Sequence, residues 1–226
     1  MLRKILFPLL LGVAGCAVLI WLGLWQVERL AWKQDILNNI NARLAAAPQP
    51  FSPDVTEEAD EYRRVVLRGT PDGQELHVLV SGTSAGTGYR TISRFTTDDG
   101  LTILLDQGLL PLEAKDAPPL VAPMEVTGTL LWPDDQNSST PDPDLGRNIW
   151  FARNVTTMAE ALDTLPLMVV ASETRPADPR LIPLPVATAD IKNDHFEYAV
   201  TWFLLAFVWA IMTLFLILRT FRTKDV

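Results

Sequence analysis

The chain starts and ends with a long apolar run, and most of its polar residues lie between the two. The first run covers residues 5–27 and the second covers residues 198–218; neither contains Asp, Glu, Lys or Arg. A helix needs about 20 apolar residues to cross the hydrocarbon core of a bilayer. Each run is therefore predicted to be a transmembrane helix, and the lipid bilayer is an expected partner.

The apolar pattern predicts that the first helix continues past the membrane. Large side chains recur there at spacings of three or four residues, which is the period of a helix. They are Trp25, Arg29, Trp32, Ile36 and Ile40. The prolines between residues 45 and 53 end this helix, because proline lacks a backbone N–H and disfavours helix in the residue before it. An acidic linker follows.

The middle of the chain predicts β-strands. Its short segments are rich in β-branched and aromatic residues and are separated by turns that contain Gly, Pro and Asp. The predicted strands are 62–69, 75–81, 89–95, 101–106, 124–132 and 167–172. Residues 155–162 are predicted to form a short helix, with Asn154 or Thr156 as its N-cap. Residues 133–144 are predicted to be a loop, and 175–185 to be a proline-rich return to the membrane.

These elements predict an α+β membrane protein. Two transmembrane helices flank a small antiparallel, barrel-like β domain outside the cytoplasm. The predicted order is transmembrane helix 1 (5–27), helical extension (28–44), linker (45–61), periplasmic β-rich domain (62–192), transmembrane helix 2 (198–218) and cytoplasmic tail (219–226).

The flanking charges predict the orientation. Arg3 and Lys4 precede the first run, and Arg219, Arg222 and Lys224 follow the second. Because loops rich in Lys and Arg stay in the cytoplasm, both termini are expected there. The protein is thus expected in the cell inner membrane as a two-span protein with a periplasmic central domain.

Three interpretations of the first run compete. A cleavable signal peptide has an apolar core of about 7–15 residues, and this run is longer. Residues 13–16 (VAGC) resemble a lipobox, so the chain could be a lipoprotein anchored at Cys16. The sequence stays apolar after Cys16, which favours an uncleaved transmembrane helix in which this cysteine is a small packing residue.

Charge and composition exclude several classes of function. Residues 29–198 contain 14 Lys and Arg against 25 Asp and Glu, a net charge of −11. An acidic surface argues against nucleic acid as a partner. One cysteine allows no internal disulfide, and the two histidines lie 118 residues apart, so no HExxH site exists. With no P-loop or GxSxG motif either, the protein is expected not to be an enzyme.

The two histidines differ in context. His77 lies on a predicted strand between Leu76 and Val78, and a surface or half-buried structural role is expected for it. His195 stands one turn before the second span and shares a helical face with Tyr198, Ala199 and Trp202. It could be an interfacial residue among headgroups. It could also be an axial ligand to haem iron, with Tyr198, Trp202 and the first span as flat apolar walls.

Several segments, taken in order, resemble motifs of the Surfeit locus protein 1 family, the cytochrome c oxidase assembly factors. They are LGLWQVERLAWK at 22–33, YRRVVLRG at 62–69, GYR at 88–90, LDQGLLP at 105–111, NIWFARN at 148–154 followed by Met158 and Ala159, and NDHFEYAVTWF at 193–203. The departures lie in the central domain. Gln107 stands where the family has Arg, Leu109 where it has an aromatic residue, Asn154 where it has Asp, and Ser93-Arg94 where it has Thr-Pro.

The resemblance implies an assembly factor that binds haem a transiently and non-covalently through His195. It also implies help with haem insertion into oxidase subunit I, with a haem a synthase as a possible supplier. Trp25, Tyr198 and Trp202 are the expected walls of the haem site. One protein ligand at the membrane edge suits a carrier that must release its haem. The alternative is a cofactor-free membrane chaperone for subunit I.

Overall fold

The computed structural model describes residues 2–188 and 191–222. The helices are α1 (Leu2–Ala45), α2 (Glu57–Asp60), α3 (Val155–Leu162) and α4 (His195–Arg222). The strands are β1 (Gln49–Pro50), β2 (Arg64–Thr83), β3 (Gly86–Thr97), β4 (Thr102–Pro111), β5 (Met124–Leu131) and β6 (Met168–Arg175), with a 3-10 turn at Leu112–Ala114. Residues 189–190, in the predicted domain 62–192, and residues 223–226, in the predicted tail with Lys224, lie outside the described residues.

The chain divides into two compact units. Ile40–Ala187 form one unit, and the residues before and after that range form the other. Two helical stretches, Leu6–Ala45 and His195–Arg219, are long and apolar enough to cross a membrane. Helix α1 is continuous through residue 27, so the division into a membrane part and an extension stays a prediction.

The β unit is a closed five-stranded barrel. The strands pair in the order β2-β3-β4-β6-β5, and β5 pairs back with β2. All neighbours are antiparallel except β4 and β6, which run parallel, and β1 adds a short parallel pairing at β2. The predicted α+β class is confirmed, with an apolar helix at each end of the chain and a barrel between them.

Strand β2 corrects one prediction. The sequence predicts two strands, 62–69 and 75–81, separated by a Pro-Asp-Gly turn, but they are halves of one strand. Between Pro71 and Glu75 this strand advances four positions while β3 advances only two, from Phe95 to Ser93. The extra residues form a bulge, in which Gly73 has φ 90°. The change of partner from β5 to β3 occurs at Gly69, which pairs with both Met124 and Thr97, and β2 thereby closes the barrel.

Two apolar clusters hold the barrel together. The first fills its interior and contains Val65, Leu67, Phe95, Ile103, Leu105, Met124, Val126, Leu130, Leu167, Val169 and Ala171. The second joins α3 to the neighbouring strands and includes Leu104, Trp150, Met158 and Leu162. Because Ile103 and Leu105 belong to one cluster and Leu104 to the other, β4 is buried on both faces. Its residues 103–105 (ILL) are therefore consecutive apolar residues rather than an alternation of apolar and polar ones.

Helix α3 has the predicted bounds. The side chain of Asn154 accepts a hydrogen bond from the backbone N–H of Thr157 at 3.0 Å. Asn154 is therefore the N-cap, and the alternative, Thr156, lies inside the helix. The family pattern has Asp at this position. Asn and Asp both accept this bond, so the departure preserves the cap.

A second departure is also explained by a contact. The amide of Gln107 donates a hydrogen bond to the hydroxyl of Ser93 at 2.6 Å, and both residues are buried. These are two of the positions at which the chain differs from the family pattern. They satisfy each other inside the barrel wall, so the two departures form one local rearrangement.

The return segment, residues 176–187, is fastened to the barrel. Ile182 exchanges two backbone hydrogen bonds with Leu109, at 2.8 and 2.9 Å. Gly108, with φ 109°, lies beneath this pairing, and a Cβ there would overlap the carbonyl oxygen of Ile182. Arg90 ion-pairs with buried Asp106 and also donates to the carbonyl of Leu184.

Candidate functional site

Helices α1 and α4 pack against each other with small residues at the contact. A Cβ on Gly12 would overlap Thr213 Cγ2, and one on Gly23 would lie 2.7 Å from the Phe203 ring. Ala206 is buried between these levels on α4. Small residues let helix backbones approach closely, which is how transmembrane helices associate. The contacts pair early α1 with late α4, so the two helices are antiparallel.

The buried and half-buried positions that line the contact between α1 and α4 follow a seven-residue period. Gly12, Cys16, Leu19, Gly23 and Gln26 form the inward row of α1, and His195, Ala199, Trp202, Ala206 and Thr213 form that of α4. Spacings of three and four residues keep each row on the side of its helix that faces the other helix. The contact between the two rows is the α1–α4 seam. Cys16 lies on this seam, with Sγ 3.8 Å from the carbonyl oxygen of Ala206. It therefore packs against a helix, as the transmembrane interpretation predicts.

His195 and Gln26 meet at one end of this seam. His195 Nδ1 lies 2.7 Å from Gln26 Oε1. An amide oxygen only accepts hydrogen bonds, so Nδ1 carries the hydrogen and donates it. In the neutral ring Nε2 then holds the lone pair, and within residues 2–188 and 191–222 it has no hydrogen-bond partner. Nε2 is thus free to bind a metal ion or accept a hydrogen bond.

The polar partner of His195 is itself buried. Gln26 is 9% exposed, whereas the ring of His195, the first residue of α4, is half-buried. Asn193, two residues before His195, has a buried carboxamide oxygen that accepts no hydrogen bond from the described part of the chain. A buried acceptor of this kind requires a donor from elsewhere, such as water or a ligand.

The structure separates the three predicted wall residues. Trp202 is half-buried on the α4 seam, two turns from His195. Tyr198 is 55% exposed and Trp25 is 46% exposed, so both present aromatic surface away from the seam. Among the described residues of α1, only Gln26 makes a side-chain hydrogen bond with His195. The assignment of Trp25, Tyr198 and Trp202 as walls of a haem site stays a prediction.

Sequence reasoning missed Gln26 as a site residue, although a signal was present. Gln26 is the only strongly polar side chain in the run 5–27. It also falls on the inward row of α1 that begins at Gly12 and contains Cys16 and Gly23. A polar side chain within a span generally faces another helix rather than lipid. The row and the rule together predict a partner on the second span.

In the barrel unit, His77 corrects an expectation. Its side chain is buried, with the residue 7% exposed, rather than at the surface or half-buried. Its ring stacks at a tilt against Tyr89, with centroids 5.7 Å apart, and Nε2 lies 3.5 Å from Glu75 Oε2. Both faces of β2 are covered here, which strand alternation alone does not reveal. Within the described residues, no three His, Cys, Asp or Glu side chains cluster to hold a metal.

Glu75 belongs to an ion network that anchors the return segment. Arg180 binds Glu75 at 2.8 Å and Asp178 at 2.7 Å, and donates to the carbonyl of Ala117. Burial by itself raises the pKa of Asp178, but hydrogen bonds from the side chain and backbone of Arg180 and from the backbone of Leu120 outweigh it. They hold the pKa of Asp178 below its ordinary value. Arg180 thus binds both carboxylates and joins the return segment to β2, so the network is structural.

Known proteins resemble this chain over most of its length. The family model of the SURF1 family matches residues 13–207, a range that includes both Gln26 and His195. The chain is 30% identical to Surfeit locus protein 1 of Takifugu rubripes over 207 residues, covering 80% of this chain and 85% of that protein. The human Surfeit locus protein 1 is 27% identical, over 80% of this chain and 68% of its own length.

An insect relative extends the comparison beyond vertebrates. The SURF1-like protein of Drosophila melanogaster is 28% identical over 219 residues, covering 83% of this chain and 71% of that protein. Each of these matches reaches across most of the chain, and the family model covers both long helices in part and the whole barrel between them. The chain therefore belongs to the SURF1 family.

Proposed function

We propose that this protein is an assembly factor for cytochrome c oxidase that binds haem a transiently and non-covalently, with His195 as the axial ligand, and helps to insert it into subunit I. The observation that carries the proposal is the state of the His195 ring. Nδ1 donates to Gln26 at 2.7 Å, and Nε2 presents a lone pair with no partner in the described chain. A neutral imidazole held through its other nitrogen is a common haem ligand.

The surrounding residues fit a porphyrin in their chemistry. Exposed aromatic surface is present on both helices, at Trp25 on α1 and Tyr198 on α4, and Trp202 lies further along the seam. Aromatic rings offer flat apolar contacts to a flat apolar group. The buried oxygen of Asn193 lacks a donor among the described residues and is available to a hydroxyl or protonated carboxyl of a ligand.

The proposed role is carriage rather than catalysis, and the protein is proposed not to be an enzyme. Haem iron supplies the bond to His195 when bound, and the chain contributes an oriented ligand and apolar surface. His195 would be the one protein ligand that holds the iron, and water or a partner would supply any further ligand. Such a site can release haem more readily than one with two protein ligands.

The location we propose follows from the two apolar helices. They associate the protein with a membrane. We place it in the inner membrane with both termini in the cytoplasm and the barrel in the periplasm. Basic residues lie before the first span and after the second, and such residues are retained in the cytoplasm. Oxidase subunit I is the proposed recipient, and a haem a synthase is the proposed donor.

The test is a spectrum of the full chain. We would purify it in mild detergent from cells that make haem a, beside His195→Ala, and record reduced-minus-oxidised spectra. We expect a haem a band in the wild type that falls by about tenfold or more in the variant, because loss of a ligand removes the iron bond. Phe207→Leu, at an exposed residue of the same helix about three turns from His195, serves as the control and should retain the band.

The outcomes separate the two candidate functions. Circular dichroism and size-exclusion chromatography would show that His195→Ala remains folded. A band of equal strength in His195→Ala would refute the ligand assignment. If neither protein carries haem, the function becomes that of a cofactor-free membrane chaperone for subunit I.

A further inference from the structure

We infer that Gln26 is a positioning residue for His195, and that its neutral amide keeps His195 a weak enough haem ligand for release. The inference rests on the proposed function, since it concerns the same site. Its basis is one contact between the two long helices, 169 residues apart in sequence, together with the burial of Gln26.

The contact selects one form of the imidazole ring. Gln26 Oε1 can only accept, so the ring is held with its hydrogen on Nδ1 and its lone pair on Nε2. Without this acceptor the neutral ring would exchange between two forms, and only one of them presents Nε2 to iron. Gln26 therefore prepares the ligand before haem arrives.

Packing keeps Gln26 in place. Gly23, one turn earlier on α1, lies against the ring of Phe203, and Ala199, one turn after His195, is buried on α4. These small residues bring the two backbones close at the level just beyond the hydrogen bond. The short separation holds the amide within reach of the imidazole, so the antiparallel helix register itself determines the ligand geometry.

The choice of glutamine over a carboxylate also sets the strength of the ligand. A carboxylate that accepts from a histidine N–H makes the ring more basic and a stronger donor to metal. Hydrogen bonds to a charged acceptor are roughly twice as strong as those to a neutral one. The neutral amide of Gln26 thus orients His195 while leaving it a moderate donor, which suits a protein that hands its haem on.

The experiment compares Gln26→Leu and Gln26→Glu with the wild type, each as full-length protein loaded with haem in detergent. Haem reduction potential and the rate of haem transfer to apomyoglobin are measured. For Gln26→Leu we expect a higher potential and about tenfold faster release, because the orienting acceptor is lost. For Gln26→Glu we expect a lower potential and slower release, because a stronger acceptor favours ferric iron.

The opposite signs distinguish positioning from a merely structural role, since damage to packing would accelerate release in both variants. Gln26→Asn is a further test: its shorter side chain cannot span the 2.7 Å contact and should behave like Gln26→Leu. Gln34→Leu, at an exposed glutamine of the same helix, is the matched control and should resemble the wild type.

Two results would overturn the inference while leaving the proposed function standing. One is a reduction potential and release rate that are unchanged in Gln26→Leu and in Gln26→Glu. The other is a change of the same sign in these two variants. A wild type that takes up no haem, or a His195→Ala protein that binds haem equally well, would instead refute the proposed function and remove the basis of this inference with it.

Discussion

At the scale of single residues, Asp178 links the stability of the barrel to pH. Its pKa is held below its ordinary value by hydrogen bonds that exceed the effect of burial. The stabilisation is therefore complete above the unfolded-state pKa of about 4 and is lost as the pH falls through the lower folded-state pKa. The stabilisation from Asp178 is therefore lost only under acidic conditions, below about pH 4.

We predict that Asp178→Asn lowers the free energy of unfolding by about 2 kcal/mol at pH 7, because it removes charged hydrogen bonds to Arg180. The difference from the wild type should shrink below about pH 4, where Asp178 becomes protonated. Urea unfolding followed by circular dichroism at several pH values measures it. Asp142→Asn, at an exposed loop position, is the control; an equal loss in it would contradict the assignment.

Also at this scale, the outcome for the two histidines shows what local sequence can reveal. The position of His195 beside an apolar run singles it out from its sequence neighbours alone. His77 gives no such signal, because its ring is covered by Tyr89, which lies on the paired strand β3. Gln26 lies between these cases, since its place on a periodic row is readable while its partner is not.

At the scale of elements, the α1–α4 seam predicts a cross-link. The only cysteine, Cys16, lies 3.8 Å from the carbonyl oxygen of Ala206. We expect Ala206→Cys to form an oxidised pair with Cys16, seen on a non-reducing gel after cleavage between the two helices. Ala199→Cys, two turns away on the same seam, is the control and should not cross-link.

Gly12 provides the second half of this test. Gly12→Leu places side-chain atoms in the space that the side chain of Thr213 occupies. Overpacking costs about 1–3 kcal/mol, so the equilibrium constant for the close-packed helix pair should fall by about tenfold. The rate of cross-linking between Cys16 and Ala206→Cys should fall with it. An undiminished cross-link in Gly12→Leu would show that the seam does not depend on close approach at this level.

Elements differ in how far their sequence predicts them. Helix α3 has its predicted bounds because its cap and apolar period are local. Strand β2 is predicted as two strands because Pro-Asp-Gly is also a hairpin signal. Whether such a segment turns or bulges depends on the strand it pairs with, and β3 pairs on both sides of it.

At the scale of the whole molecule, the orientation is the open prediction. In a Cys16→Ala background, we expect Ser139→Cys, at an exposed position of the barrel unit, to react with a membrane-impermeant maleimide in intact spheroplasts. A cysteine added after the last residue should react only once the membrane is opened. The reverse pattern would place the barrel in the cytoplasm and refute the proposed orientation.

Features that depend only on neighbouring residues can be predicted from the sequence alone. These are the two apolar helices, helix α3 with its Asn cap, most of the strand segments, and the position of His195 beside a span. Hydrophobicity, helical period and capping are local properties, so they can be recognised in the sequence.

The contacts between residues that are distant in sequence are revealed only by the tertiary structure. It joined β5 to β2 and closed the barrel, set β4 parallel to β6, buried His77, paired Gln107 with Ser93 and brought Gln26 to His195. Each of these depends on pairing register or on packing between elements far apart in sequence. Many pairings satisfy the same local pattern, and the selection among them is made by burial and hydrogen bonding across the whole fold.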